Sequence, residues 1–204
     1  MLAVDDLAAQ RGDALLFEGL GFALRPGAAL FVSGPNGSGK TTLLRIVAGF
    51  TRALRGRLTW DGADVVPFEP ALRAVTLFIG HAPALKEELT AEENLASLAA
   101  LHGAPAGRQA LTDALIMWSL ARQRSLPAKV LSQGQRRRIG LARLRLVPRL
   151  LWVLDEPMTA LDAAGAETLR AVLGDHLARG GMALIATHQE FTPASGTYHS
   201  LRLQ

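Results

Sequence analysis

The stretch GPNGSGKTT, residues 34–42, meets the pattern G-x-x-x-x-G-K-[ST] through Gly34, Gly39, Lys40 and Thr41. Glycine suits a loop that wraps phosphate groups with its backbone N–H donors, because a side chain would block the approach. Pro35, Asn36, Gly37 and Ser38 would lie along the phosphates, with Thr42 just behind. A helix following the loop aims the partial positive charge of its N-terminus at the same anion. Lys40 would reach the β- and γ-phosphates, and the Thr41 hydroxyl would hold Mg²⁺.

A second constellation lies 115 residues beyond Lys40, where Asp155 and Glu156 follow the apolar run LLWVL. Carboxylates at the carboxyl end of a buried strand stand at the edge where α/β sheets bind ligands. Asp155 would hold the magnesium, through water, and Glu156 would orient and polarise an attacking water, which needs a carboxylate within hydrogen-bonding reach. A third, LSQGQ at residues 131–135, reads as a helix start in which Ser132 caps and Gly134 allows close backbone approach. That helix end is another anion site, so one chain carries two.

The elements that must position these groups follow from periodicity. Residues 2–31 read as short strands between turns at Arg11-Gly12-Asp13 and Arg25-Pro26-Gly27, and residues 28–33 as an apolar strand entering the glycine loop. TLLRIVAG has helical spacing that stops at Gly49; GRLTWDGADV is a hairpin around Asp61-Gly62, and AVTLFIG a buried strand. Thr90 and Glu93 form a T-x-x-E capping box before a helix, a second helical stretch covers about 109–120, and Pro127 ends the block. LLWVLD is a central parallel strand, 163–178 a helix, and Met182 to Thr187 a last core strand. Strands alternating with helices predict an α/β fold with a parallel core sheet, an antiparallel N-terminal β region and an inserted helical lobe at about 90–130, all within one domain, 1–204.

Composition narrows the classes. At 204 residues, 49% apolar and 20% charged, the chain is ordinary for a globular domain, and disorder is excluded. It has no cysteine, hence no disulfide framework and no thiolate chemistry. Neither an export signal nor an apolar run of the roughly 20 residues needed to cross a bilayer is present, so a membrane role requires a partner. The net charge of +4 permits an acidic surface without demanding one. Arg136-Arg137-Arg138 invites a nucleic-acid reading, but successive helical residues point about 100° apart and no aromatic platform accompanies them. They are read as solvated or subunit-facing. His102, His176 and His199 are read as surface or loop residues.

LSQGQ resembles the LSGGQ signature of ABC ATPases, and the other pieces match in order along essentially the whole chain. MTALD, ending at Asp162, looks like the D-loop, and His188, after MALIAT, like the switch histidine that contacts the γ-phosphate. The resemblance implies a P-loop ATPase using ATP and Mg²⁺ in which two subunits pair head to tail. Each ATP would then lie between one glycine loop and the other copy's Ser132, Gly134, Gln135 and Asp162. Three departures stand out. Gln133 replaces a signature glycine. His81, followed by Ala82, holds the place of a magnesium-sensing glutamine, either as its substitute or as a structural residue. Arg11 holds the place of an adenine-stacking aromatic, either stacking on the base or solvated in its turn.

Within ABC ATPases, the segments FIGHAPALKEELTAEENL, LSQGQRRRIGLARL and LWVLDEPMTALDAAG are most similar to the ATP-binding subunits of the cytochrome c maturation system, described as heme exporters. That likeness implies a peripheral protein on the cytoplasmic face of the inner membrane, partnered by integral-membrane subunits, and no nucleic acid. The alternatives are an ABC subunit for another cargo, a silent ATP-binding partner, and a soluble ABC ATPase of DNA or ribosomes. The last would carry long heptad insertions or two cassettes, and the silent partner would lose Glu156 or His188.

Overall fold

In β1 (Leu2–Arg11) Leu2, Val4, Leu7, Ala8 and Ala9 are buried while Asp5 and Asp6 face outward, the alternation being broken where the register shifts between Val4 and Leu7. Paired with β2 (Ala14–Leu24) and β4 (Arg55–Trp60), and extended by β5 (Ala63–Asp64), it makes an antiparallel sheet in the order β2-β1-β4-β5. The register sets Leu2 opposite Leu24 on one side and opposite Trp60 on the other.

The second sheet is parallel where its pairing is defined, in the order β6-β7-β8-β3-β9. Its central strands, β3 (Ala28–Ser33), β7 (Leu151–Asp155) and β8 (Met182–Ala186), are continuous apolar runs because both faces are covered. β6 (Thr76–Ile79) forms one edge, preceded by a short helix, α2 (Pro70–Val75), where the sequence suggested a strand from Ala74. The other edge is β9 (Thr197–Arg202), parallel to β3 from Ala28↔Thr197 to Ser33↔Arg202. Met182 to Thr187 supplies the last buried strand, β8, and β9 adds an exposed edge strand that the sequence reading did not contain. β9 carries no hydropathy signal because its side chains are mostly exposed and the backbone ladder to β3 holds it.

The computed structural model describes residues 1–189 and 192–204, in two compact units. The first comprises Met1–Phe78, Arg149–Glu156 and Leu173–Gln204. Here α1 (Lys40–Val47) buries Leu43, Leu44 and Val47 in one core with Leu30, Val32, Val153 and Leu184. The second comprises Ile79–Pro148 and Pro157–Val172. Its helices are α3 (Ala91–Leu101), α4 (Arg108–Met117) and α5 (Gln133–Leu146), with α3 and α4 both packed on α5. Thr90 and Glu93 close the capping box at α3. α6 (Ala163–Ala178) runs from the second unit into the first. Among the described residues no helix is long and apolar enough to cross a membrane.

His176, expected at the surface, is buried on α6 and stacked on the indole of Trp152, ring centroids 3.6 Å apart and planes 4° apart. Its Nε2 faces the Met182 carbonyl oxygen at 3.1 Å. The helical period explains the miss: His176 lies three residues after Leu173, on the buried side. Burial, and secondarily the charge of Arg179, push the imidazole pKa down from 6.5 to about 4, against the pull of the Met182 carbonyl.

The unfolded chain thus takes up a proton below pH 6.5 that the folded chain accepts only near pH 4, so stability falls as pH drops through that window. A His176→Phe variant, which keeps an aromatic ring but cannot titrate, should show a flatter dependence of thermal midpoint on pH across it. Parallel curves for the two proteins would show that His176 does not set the slope.

Candidate functional site

In the first unit β3 delivers the chain at Ser33 into the glycine loop, and α1 begins at Lys40. Gly34 has φ 143°, and a Cβ there would stand 2.5 Å from the Leu203 carbonyl oxygen, so only glycine lets this loop leave the sheet. Gly39 occupies the helix N-cap in the left-handed region, φ 94°. The Lys40 ammonium is nearly buried and donates to the carbonyl oxygens of Gly34 at 2.9 Å and Pro35 at 3.0 Å, curling over its own loop. The Ser38 hydroxyl is buried without a hydrogen-bond partner among the described residues. An orphaned buried hydroxyl costs about 1–3 kcal/mol, which a phosphate oxygen seated in the loop would relieve.

The Thr41 hydroxyl, in the first turn of α1, donates to Asp155 Oδ2 at 2.9 Å. Asp155 ends β7 and is buried. A hydroxyl and a carboxylate side by side suit a hard divalent cation such as Mg²⁺, which binds through few protein oxygens plus water and phosphate. Among the described residues no cluster of three or more His, Cys, Asp or Glu could hold a metal, so Thr41 and Asp155 are the donors available here. Glu156, next in the chain, has a positive φ of 48° and donates its N–H to the Ala186 carbonyl at 2.9 Å. Its Oε1 lies 3.2 Å from His188 Nε2. A left-handed glutamate is strained backbone, and strain of this kind concentrates at working sites. Lys40, Thr41, Asp155, Glu156 and His188 thus all belong to one unit. Arg11, in the same unit, is exposed at the end of β1, where it pairs with Ala14 across the hairpin tip. Asn36 and Gly37 lie in the exposed crest of the loop, and Thr42 follows in α1.

The second unit holds the remaining candidates. Ser132 caps α5: its hydroxyl accepts from the Gln135 N–H at 3.2 Å, and the Gln135 side chain accepts from the Ser132 N–H at 2.9 Å. A Cβ on Gly134 would stand 2.6 Å from the Ala160 carbonyl oxygen, so α5 and the turn at 157–160 touch backbone to backbone. Asp162 accepts from the Gly165 N–H at 2.8 Å and pairs with Arg138. Those two bonds, the Gly165 one first, hold its carboxyl below the usual range. The His81 side chain is exposed on the loop after β6.

The arginine triple divides. Arg136 donates to the carbonyls of Leu131 and Lys129, and Arg138 pairs with Asp162. Arg137 is not solvated: it is 4% exposed and donates to the carbonyls of Gly80, His81 and Pro157. Three consecutive charges masked it, although the helical period sets it on one side with Gly134, Leu141 and Leu144.

Residues 17–159 match the family model described as ABC transporter. The chain is 49% identical over 191 residues to the cytochrome c biogenesis ATP-binding export protein CcmA of Aromatoleum aromaticum, covering 93% of this chain and 89% of that one. It is 44% identical over 203 residues to the protein of the same name in Nitrosomonas europaea, covering 100% and 95%. Among solved structures, a Pyrococcus furiosus protein provisionally described as an ABC transporter ATP-binding protein superposes with a TM-score of 0.85 at 25% identity, covering 98% of this chain and 96% of that one.

The box at Ser132 predicts that Ser132→Ala lowers unfolding free energy by about 1 kcal/mol, the usual worth of a helix cap. Urea denaturation would check this, with no change expected in the slope of the transition.

Proposed function

The chain belongs to the ABC transporter family, and from that premise we propose that it is the ATP-hydrolysing subunit of a transporter working in heme delivery or export for cytochrome c biogenesis. The hydrogen bond from Thr41 to Asp155 carries the chemical half of this reading, since it joins glycine loop and acidic pair across 114 residues of chain. The names of the 49% and 44% identical relatives support the biological half.

The backbone N–H groups of residues 34–39, with Ser38 and Lys40, bind the triphosphate of ATP, and Thr42 lies beside them. Thr41 and Asp155 would hold Mg²⁺, which would supply charge neutralisation at the phosphates. Glu156 accepts a hydrogen bond from the water that attacks the terminal phosphorus and takes up its proton. His188 holds Glu156 at one edge, 3.2 Å away, and presents its exposed ring to the γ-phosphate. The bond to the β,γ-bridging oxygen breaks, and ADP and phosphate leave. Arg11 would meet the adenine, and His81 would take the place of the family's magnesium-sensing glutamine. Positioned charges of this kind are the main means by which phosphoryl transfer is accelerated.

Residues 1–204 act as one ATPase domain, with 90–130 as its inserted helical lobe. Two copies pair on ATP binding, with Ser132, Gly134, Gln135 and Asp162 of one copy facing the ATP held by the glycine loop of the other. The pair sits on the cytoplasmic face of the inner membrane, held by integral-membrane subunits of the cytochrome c maturation system.

Lys40→Ala should lower ATP hydrolysis by on the order of 10²-fold or more and weaken nucleotide binding. Glu156→Gln should stop turnover yet accumulate an ATP-dependent dimer in size-exclusion chromatography; an active monomer would remove Glu156 from its role. Tagged protein recovered from membranes should bring cytochrome-maturation subunits with it, and recovery of an unrelated permease would overturn the cargo.

A further inference from the structure

Arg137 lies on α5, five residues after Ser132, among the least exposed charged groups of the second unit. Its Nη1 donates to the carbonyl oxygens of Gly80 at 2.7 Å and His81 at 3.1 Å, and its Nε to that of Pro157 at 3.4 Å. Gly80 and His81 directly follow β6, and Pro157 directly follows Glu156. One planar guanidinium therefore serves two separate loops, a task its fixed fork of donors can meet and an ammonium cannot.

The surroundings sharpen the point. The guanidinium walls an open cavity of about 290 Å³, bordered also by His81, Pro83, Gln133, Thr159 and Ala160. Pro83 comes within 3.7 Å of the place a Cβ on Gly140 would occupy, so the loop after β6 lies close along α5. A second buried arginine, Arg143, donates from Nε to the Gly140 carbonyl at 2.9 Å. Burial draws its pKa down to about 10, and the charge of Arg137 adds to the fall.

We infer that Arg137 is a positioning residue for hydrolysis, whose bonds to Gly80, His81 and Pro157 hold the loop after β6 and the turn after Glu156 on the helix that Ser132 caps. Its bond to the Pro157 carbonyl holds the peptide after Pro157, and the fixed φ of proline carries that restraint back towards Glu156, which already occupies a strained φ of 48°. A displaced carboxylate slows attack by water without loosening the grip of the glycine loop on ATP.

The inference rests on the ATPase reading, so the full-length chain is assayed first: hydrolysis by the wild type that Lys40→Ala abolishes secures that reading, and its absence sinks reading and inference together. Arg137→Gln, Arg137→Met and Arg137→Lys are then compared for thermal midpoint, kcat, KM for ATP, and hydrogen exchange of peptides spanning 80–84 and 157–161. The neutral variants leave three carbonyls without this donor, and the fall in midpoint should be too small to unfold the chain at the assay temperature. Their kcat should fall about tenfold or more, with KM within about twofold, and both loops should exchange faster while α5 stays protected. Lysine, with charge but no fork, should restore little of kcat. Unchanged kcat, unchanged exchange in either loop, or kcat falling only in step with midpoint would overturn the inference. Should the neutral variants not fold, Arg137→Lys alone decides: wild-type kcat overturns it, and low kcat at wild-type midpoint supports it.

Discussion

The hydrogen bond from Thr41 to Asp155 is the contact around which the first unit is organised. It can form only if the start of α1 and the end of β7 reach the same edge of the sheet. The strand order meets that requirement: β3 leads into the glycine loop, and β8 separates β3 from β7. The apolar runs of β3, β7 and β8 are buried on both faces, so the two polar side chains emerge together at the boundary of a rigid, dry scaffold. The geometry of this candidate site is a consequence of parallel pairing.

The same edge is where the structure tolerates unfavourable states. Glu156 holds a left-handed conformation, Ser38 buries a hydroxyl without a hydrogen-bond partner among the described residues, and the Lys40 ammonium is taken up by the loop's own carbonyls. Each is a cost that binding a triphosphate can relieve or use. Elsewhere in the first unit the packing is conventional, and the His176–Trp152 stack closes the far end of β7 from Asp155 with an aromatic pair.

In the second unit the dominant constraint is close approach of backbone to α5. Gly134 meets Ala160, and Arg137 ties the carbonyls of Gly80, His81 and Pro157 to the helix. The candidate residues of this unit are therefore presented by one helix and the loops laid on it. Ser132, Gly134 and Gln135 are at its capped end, and Asp162 is braced by Arg138 from its next turn.

The glycine loop, the acidic pair, the capping boxes and the alternation of strand and helix were legible in the sequence, because each depends on local chemistry: φ angles only glycine favours, caps three residues apart, apolar period. Tertiary structure alone decided the rest. β9 is held by a backbone ladder and writes nothing into hydropathy. His176 is buried through the phase of its helix against Trp152, and Arg137 because carbonyls of distant loops converge on it. Bonds to backbone oxygens can be made to any residue type, so no side chain announces them, and only the folded chain reveals which of three adjacent arginines is inside.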